Sequence, residues 1–146
     1  MIQQTVTTSV EETEAFGEAI AKTLINDSSL PRFIALYGDL GVGKTAFVRG
    51  LARVMAPGAA VRSPTFALVN EYRAKPLSVF HFDMYRIESE DELESIGFYD
   101  YLDRGLCVIE WSENIGYALP DSYIRVEIVK SSATDADKRT IDITLV

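Results

Sequence analysis

Gly38-Asp39-Leu40-Gly41-Val42-Gly43-Lys44-Thr45 matches G-x-x-x-x-G-K-[ST], the phosphate-binding loop of many NTPases. The apolar run Phe33 to Tyr37 leads into it as a buried strand would. Ala46 to Met55 follows at helical periodicity, with Phe47, Leu51, Val54 and Met55 on one face. Strand, glycine-rich loop and helix, in that order, is the context this chemistry requires. Glycines allow positive φ and close approach of backbone N–H groups to phosphate. Those N–H groups and the positive end of the following helix form an anion cradle. Lys44 is then placed to reach the β- and γ-phosphates and the Thr45 hydroxyl to ligate Mg²⁺.

Outward from the loop, Ser9 with Glu12 three residues on forms a capping box for a first helix. Phe16, Ile20 and Leu24 keep one face of it apolar to about Ile25, and Asn26-Asp27-Ser28-Ser29 breaks it before Pro31. The loop helix ends at Met55, where Ala56-Pro57-Gly58 stops it. Two β-rich runs, Phe66 to Arg73 and Leu77 to Asp83, are separated by only Ala74-Lys75-Pro76 and read as an antiparallel hairpin. Ser89 and Glu92 cap a short acidic helix, and the acidic run Glu88 to Glu92 suits that helix's dipole. Leu106 to Ile109 is a short buried strand ending at Glu110-Trp111. Tyr123 to Val129 and Thr140 to Val146 alternate apolar and polar residues and read as half-exposed strands paired with each other. The fold class expected is α/β: a P-loop NTPase fold with a mixed central sheet flanked by helices and antiparallel hairpin additions.

A phosphate loop needs an acidic partner at the end of a neighbouring strand to hold or orient Mg²⁺. Glu110 closes one apolar run and Asp83 another. Mg²⁺ takes only one or two carboxylates, so both qualify, directly or through water. His81, the only histidine, lies two residues before Asp83 on the same strand face. It is placed to orient that carboxylate or a water, or to serve as a hydrogen-bonded structural residue. Arg62 and Arg86 are candidates for neutralising phosphate charge, against ordinary surface roles. Trp111 either lines the site or packs at the sheet edge.

At 146 residues the chain is expected to form one domain. The net charge of −8 argues against a dedicated nucleic-acid surface, though not against RNA held by a partner. Cys107 sits in an apolar run and reads as a buried thiol. No stretch spans a bilayer and the first residues lack the pattern of a signal peptide, so the expected location is the cytoplasm, with no membrane partner. Neither Asn-Lys-x-Asp nor Asp-x-x-Gly is present, which disfavours a Ras-type GTPase; no arginine-rich lid of a nucleotide kinase is present either. Adenine, or indifference to the base, is left by elimination.

The loop, together with Ser63-Pro64-Thr65-Phe66, His81-Phe82-Asp83-Met84-Tyr85-Arg86 and Ile109-Glu110-Trp111, resembles the TsaE (YjeE) family, in order and at compatible spacing. The resemblance implies a small bacterial ATPase, weak alone, needed for tRNA threonylcarbamoyladenosine (t6A) synthesis. It implies the partners TsaD and TsaB, which carry out the threonylcarbamoyl transfer, and tRNA only indirectly through their complex. Carried over, Ser9 and the stretch Gly38, Asp39, Leu40, Gly41, Val42, Gly43, Lys44, Thr45 and Ala46 bind ATP or ADP. Thr45 and Glu110 hold Mg²⁺, with Asp83 the essential acid near the metal and the attacking water; Lys44, Asp83 and Glu110 form the catalytic set. Ser63-Pro64-Thr65 resembles the family's switch loop, and Trp111 belongs to a second mobile segment. A small-molecule kinase and a nucleotide-gated binding module with little catalysis are the alternatives.

Overall fold

A computed structural model of the chain describes residues 2–39, 41–65, 67–131 and 136–146. Leu40, expected at the nucleotide, and Phe66, expected to open a strand, lie outside the described residues. The elements in chain order are β1 (Ile2–Thr7), α1 (Val10–Asn26), β2 (Phe33–Tyr37), α2 (Lys44–Met55), β3 (Val69–Tyr72), β4 (Ser78–Asp83), α3 (Glu90–Ser95), α4 (Phe98–Tyr101), β5 (Gly105–Glu110), 3₁₀ turns over Ser112–Ala118, β6 (Ile124–Lys130) and β7 (Arg139–Leu145).

All seven strands join one sheet in the order β1-β7-β6-β2-β5-β4-β3. The inner strands β6, β2, β5 and β4 run parallel, while β3 adds antiparallel at one edge and β7 with β1 at the other. This is the mixed sheet of an α/β P-loop fold. Alternation divides the core between the two faces. Ile34, Leu36, Leu106, Val108, Val126 and Ile141 pack with Leu24, Phe47 and Leu51 of α1 and α2. Phe33, Ala35, Phe80, Phe82, Cys107 and Ile109 pack with Leu93, Phe98 and Ile115 on the other face. Strands β2 and β5 are covered on both sides, which is why their sequences are apolar runs without alternation. Burial pushes the Cys107 thiol up to about 12, so it has no thiolate at neutral pH and serves as packing.

The expected helices and hairpin are present with small shifts of boundary. Ser9 Oγ accepts the Glu12 N–H at 3.1 Å and Ser89 Oγ the Glu92 N–H at 3.2 Å, capping α1 and α3. In the hairpin Val69 pairs with Phe82 and Tyr72 with Val79. Strand β1 was not expected. Its polar Gln3-Gln4-Thr5 carries no apolar alternation, because this edge strand draws its stability from the ladder to β7 and cross-strand bonds such as Gln4 Nε2 to Asp142 Oδ1 at 2.8 Å. The 3₁₀ turns and α4 were likewise not anticipated; each is too short to show a period.

Two glycines set how closely α1 and α2 approach. A Cβ on Gly50 would overlap the Glu14 carbonyl, and one on Gly17 the Phe47 carbonyl. Beside this contact the buried Glu14 carboxylate accepts from Arg49 at 3.3 Å and Arg53 at 3.1 Å. The obstacle to a methyl group is backbone, so it moves only if the helices separate. Gly50→Ala is therefore expected to lower unfolding free energy by about 3 kcal/mol in urea denaturation. Gly116→Ala, with nothing among the described residues within 4 Å of the added carbon, should stay within about 0.5 kcal/mol of the unaltered protein.

Candidate functional site

The loop after β2 turns sharply at Gly38, Gly41 and Gly43, whose φ values are 144°, 78° and 109°. Gly38 has no room for a side chain, since a Cβ would meet the Ile128 carbonyl and stand 2.8 Å from Val42 Cγ2. Gly43 is the N-cap of α2 and offers no side-chain cap, and the first turn carries no acidic residue. By contrast α1 and α3 each begin with a capping serine and acidic residues. The free N–H groups at the start of α2, around Lys44, Thr45 and Ala46, leave an uncompensated positive helix end.

Opposite this end stand two carboxylates. The parallel ladder of β4 and β5 pairs Asp83 with Glu110, and alternation puts both on the α2 side of the sheet. Gly41, Gly43, Lys44, Thr45, Ser63, Thr65, Asp83, Glu110 and Trp111 together line a cleft of ≈ 260 Å³. It opens at the carboxyl ends of the parallel strands, where α/β sheets bind ligands.

Lys44, 5 % exposed, donates from Nζ to the Gly38 carbonyl at 2.7 Å. Its Nζ stands 4.0 Å from Glu110 Oε1 and 5.1 Å from the centre of the Trp111 ring. With three N–H bonds, the ammonium retains donors for an anion in the cleft.

Asp83 is held at both oxygens. Oδ1 accepts the Tyr85 N–H at 2.9 Å and Oδ2 the Thr65 hydroxyl at 3.0 Å. That bond uses the single Thr65 proton, so Ser63 Oγ is the donor in its 2.7 Å contact with Thr65 Oγ1. The Ser63-Pro64-Thr65 segment is thereby tied to one of the two acids. Glu110 is held by another residue: its Oε2 lies 2.6 Å from His81 Nε2, a bond buried from solvent. His81 therefore contacts the carboxylate of the neighbouring strand and not Asp83, contrary to the expectation from its own strand. His81 pairs across the ladder with Val108, so Glu110 is its diagonal neighbour on β5, whereas both Asp83 oxygens are already engaged by Thr65 and the Tyr85 N–H. Among the described residues His81 Nδ1 has no hydrogen-bond partner, which suits the tautomer carrying its proton on Nε2.

The remaining residues named from the sequence divide. Trp111 lines the cleft, adopts φ 59° and sets its ring tilted against Tyr85 at 5.2 Å; it faces the site and also packs against the aromatic cluster of the opposite face. Ser9, Gly41, Val42, Gly43 and Ala46 line a second, ≈ 90 Å³ hollow across the loop with Val10, Thr13, Asp137 and Arg139. Asp39 is exposed and borders another hollow with Ile128 and Lys130; its carbonyl accepts the Val42 N–H at 3.4 Å. Arg62 and Arg86 are exposed, and the cleft lining among the described residues includes neither. Arg139 was missed: nothing in the sequence near Thr140 marks it as reaching the loop. Thr65 was named only with its segment, and its bond to Asp83 needs the folded hairpin.

The donor set fits Mg²⁺. A hydroxyl and two carboxylates are hard oxygen ligands, and this ion completes its shell with phosphate and water. Among the described residues no group of three or more His, Cys, Asp or Glu could hold a metal, so an ion here would take part of its shell from such outside ligands.

A family model described as "Threonylcarbamoyl adenosine biosynthesis protein TsaE" matches residues 7–141. The tRNA threonylcarbamoyladenosine biosynthesis protein TsaE of Rickettsia bellii is 37% identical over 142 residues, covering 97% of this chain and 94% of that protein. The protein of the same name from Bacillus subtilis is 38% identical over 141 residues, covering 96% and 84%. The crystal structure of Bacillus subtilis YdiB superposes with a TM-score of 0.77 at 28% identity, covering 100% of this chain and 86% of that one.

The His81–Glu110 contact is testable as a coupled pair. His81→Leu leaves a buried carboxylate short of a donor and should cost about 1–3 kcal/mol of stability. The double variant His81→Leu/Glu110→Leu should cost less than the sum of the two single changes, by about 1 kcal/mol or more in a denaturant-based double-mutant cycle. Simple additivity would show that the two side chains are not coupled.

Proposed function

This chain belongs to the TsaE family, with its role in tRNA t6A biosynthesis, and from that premise we propose that it binds ATP with Mg²⁺ and hydrolyses it. The observation that carries this reading is one cleft shared by an uncapped helix N-terminus, Lys44, Thr45 and two strand-end carboxylates.

The Gly43 N–H and the first amides of α2 cradle the phosphates, and Lys44 neutralises charge on the β- and γ-oxygens. Thr45 and Glu110 would hold Mg²⁺, which would supply positive charge to offset that of the phosphates. His81 keeps the Glu110 carboxylate in one orientation, with Oε1 towards the cleft. Asp83 orients the attacking water, either directly or beside the metal, and Thr65 and the Tyr85 N–H limit its rotation. Since Thr65 belongs to the segment resembling a switch loop, movement of that segment would alter the Asp83 position. This is how a partner that grips the loop would raise a low basal rate.

The partners proposed are TsaB and TsaD, with tRNA reached through their complex. The net charge of −8 supports contact with RNA through other proteins. Among the described residues no helix is long and apolar enough to cross a membrane, and a cytoplasmic location is part of the proposal.

Steady-state ATP hydrolysis by the purified chain, alone and with TsaB and TsaD of the same organism, tests the reading. Stimulation by the pair is expected, and Lys44→Ala should lower kcat by about 100-fold or more. Asp83→Asn and Glu110→Gln should each reduce it strongly; full activity in both would remove the acids from the mechanism. Tight ATP binding without turnover would favour a nucleotide-gated module, and stoichiometric phosphorylation of a metabolite a kinase.

A further inference from the structure

Arg139 opens β7 at the point where that strand meets both its neighbours, in register with Thr7 of β1 and Lys130 of β6. Its half-buried guanidinium reaches across the chain to the phosphate loop. Nε donates to the Val42 carbonyl at 2.8 Å and one Nη to the Gly41 carbonyl at 3.4 Å, over separations of 97 and 98 residues. The other Nη donates to the carbonyls of Ala136 and Lys138, which anchors the guanidinium on its own strand.

Packing does little to fix the crown of this loop. Among the described residues, a Cβ at Gly41 would find nothing within 4 Å, and one at Gly43 only the Thr13 methyl group at 3.8 Å. Both stand at positive φ, and glycine has the widest backbone freedom of any residue. The loop is therefore held largely by hydrogen bonds, and Arg139 supplies two of them.

Their direction matters. In a trans peptide the C=O and the following N–H point opposite ways. Fixing the Val42 carbonyl against Arg139 therefore fixes the Gly43 N–H in the opposite sense. Arg139 lines the smaller hollow beside Ser9 and Thr13, whereas Gly43 lines both that hollow and the cleft of Lys44 and Glu110. The Gly43 N–H is thus turned away from Arg139, towards the cleft. The Gly41 contact steadies the preceding peptide, whose N–H closes on the Asp39 carbonyl at 3.4 Å.

We propose that Arg139 is a positioning residue for phosphate binding, which clamps the Gly41 and Val42 carbonyls and so presets the Gly43 amide to receive an anion. The antiparallel strands at this edge then have a task beyond enclosing the core: they carry a brace for the loop. The inference rests on the phosphate-binding reading of the loop, and its test separates the two.

Binding of ADP and of ATP with Mg²⁺ is measured by calorimetry on the full chain, with ¹H–¹⁵N spectra recorded at each titration point. The unaltered protein, Arg139→Ala, Arg139→Lys and Lys44→Ala are compared. Arg139→Ala is expected to bind both nucleotides about tenfold more weakly, the effect of losing charge-assisted hydrogen bonds. Its Gly43 amide resonance should be displaced or broadened before nucleotide is added and should shift less on ADP addition, while sheet resonances stay in place. Arg139→Lys should fall between the two, because an ammonium reaches one carbonyl but does not span both. A merely structural role would disturb sheet resonances in general and leave Gly43 unexceptional, and that pattern overturns the proposal. So does unaltered affinity in a folded Arg139→Ala. If that variant does not fold, a folded Arg139→Lys with unaltered affinity and an unmoved Gly43 resonance overturns it equally. Failure of the unaltered protein to bind either nucleotide would instead bring down the phosphate-binding reading itself.

Discussion

Between β4 and β5 the parallel ladder sets Asp83 beside Glu110, and strand alternation sends both carboxylates to the face that carries α2. A slip of one residue would turn one of them into the aromatic cluster of Phe80, Phe82 and Phe98 on the opposite face. That outcome is prevented by the residues below the acids. Val79 and Leu106 are buried with α2 and its neighbours, while Phe80, Phe82, Cys107 and Ile109 are buried on the far side. A slip would force every one of these pairs to exchange environments. The register that packs the core is therefore the register that brings the two acids together, and the cleft inherits its geometry from hydrophobic burial.

The same face holds most of the buried charge. Among the described residues the buried Lys, Asp and Glu side chains are Glu14, Lys44, Asp83 and Glu110, and three of the four lie in the cleft. Each has partners that limit the penalty of leaving water: a carbonyl for Lys44, an N–H and a hydroxyl for Asp83, an imidazole for Glu110. Glu14, the fourth, is neutralised by two arginines at the α1–α2 contact. Buried ion pairs of this kind contribute little net stability compared with apolar packing of the same volume. Their concentration in one cleft is accordingly a property of the site and not of the fold.

Much of this was legible in the sequence because the signals are local. The glycine pattern, the bounding strand and helix, the two serine caps and the short hairpin each occupy a single continuous stretch. The positions of Asp83 and Glu110 at strand ends were legible for the same reason. Strand β1 was not, since its polar residues gain their order from β7, far away along the chain. The His81–Glu110 bond was hidden because it depends on which strand neighbours β4, and the hairpin signal reveals only β3. Arg139 was hidden more deeply. Its acceptors are backbone carbonyls, which leave no complementary residue type to look for.

A net charge of −8 is at first sight a poor setting for a phosphate site, with two further carboxylates inside it. Distance settles the first objection. At physiological ionic strength the screening length is about 8 Å, so exposed acids elsewhere on the surface act weakly on the cleft. Against them stand local positive groups: Lys44, the bare end of α2 and, behind the loop, Arg139. The second objection is not removed by screening, because Asp83 and Glu110 are buried. Two like charges 4 Å apart at an effective dielectric near 20 repel by about 4 kcal/mol, and a phosphate chain beside both acids would meet several such terms. Lys44, already 4.0 Å from Glu110, offsets one of them. If the cleft binds nucleotide as proposed, the remainder would be offset by a divalent cation held by these acids. The acids that make the cleft inhospitable to a bare nucleotide are thus the groups that would make it selective for the nucleotide carrying its metal.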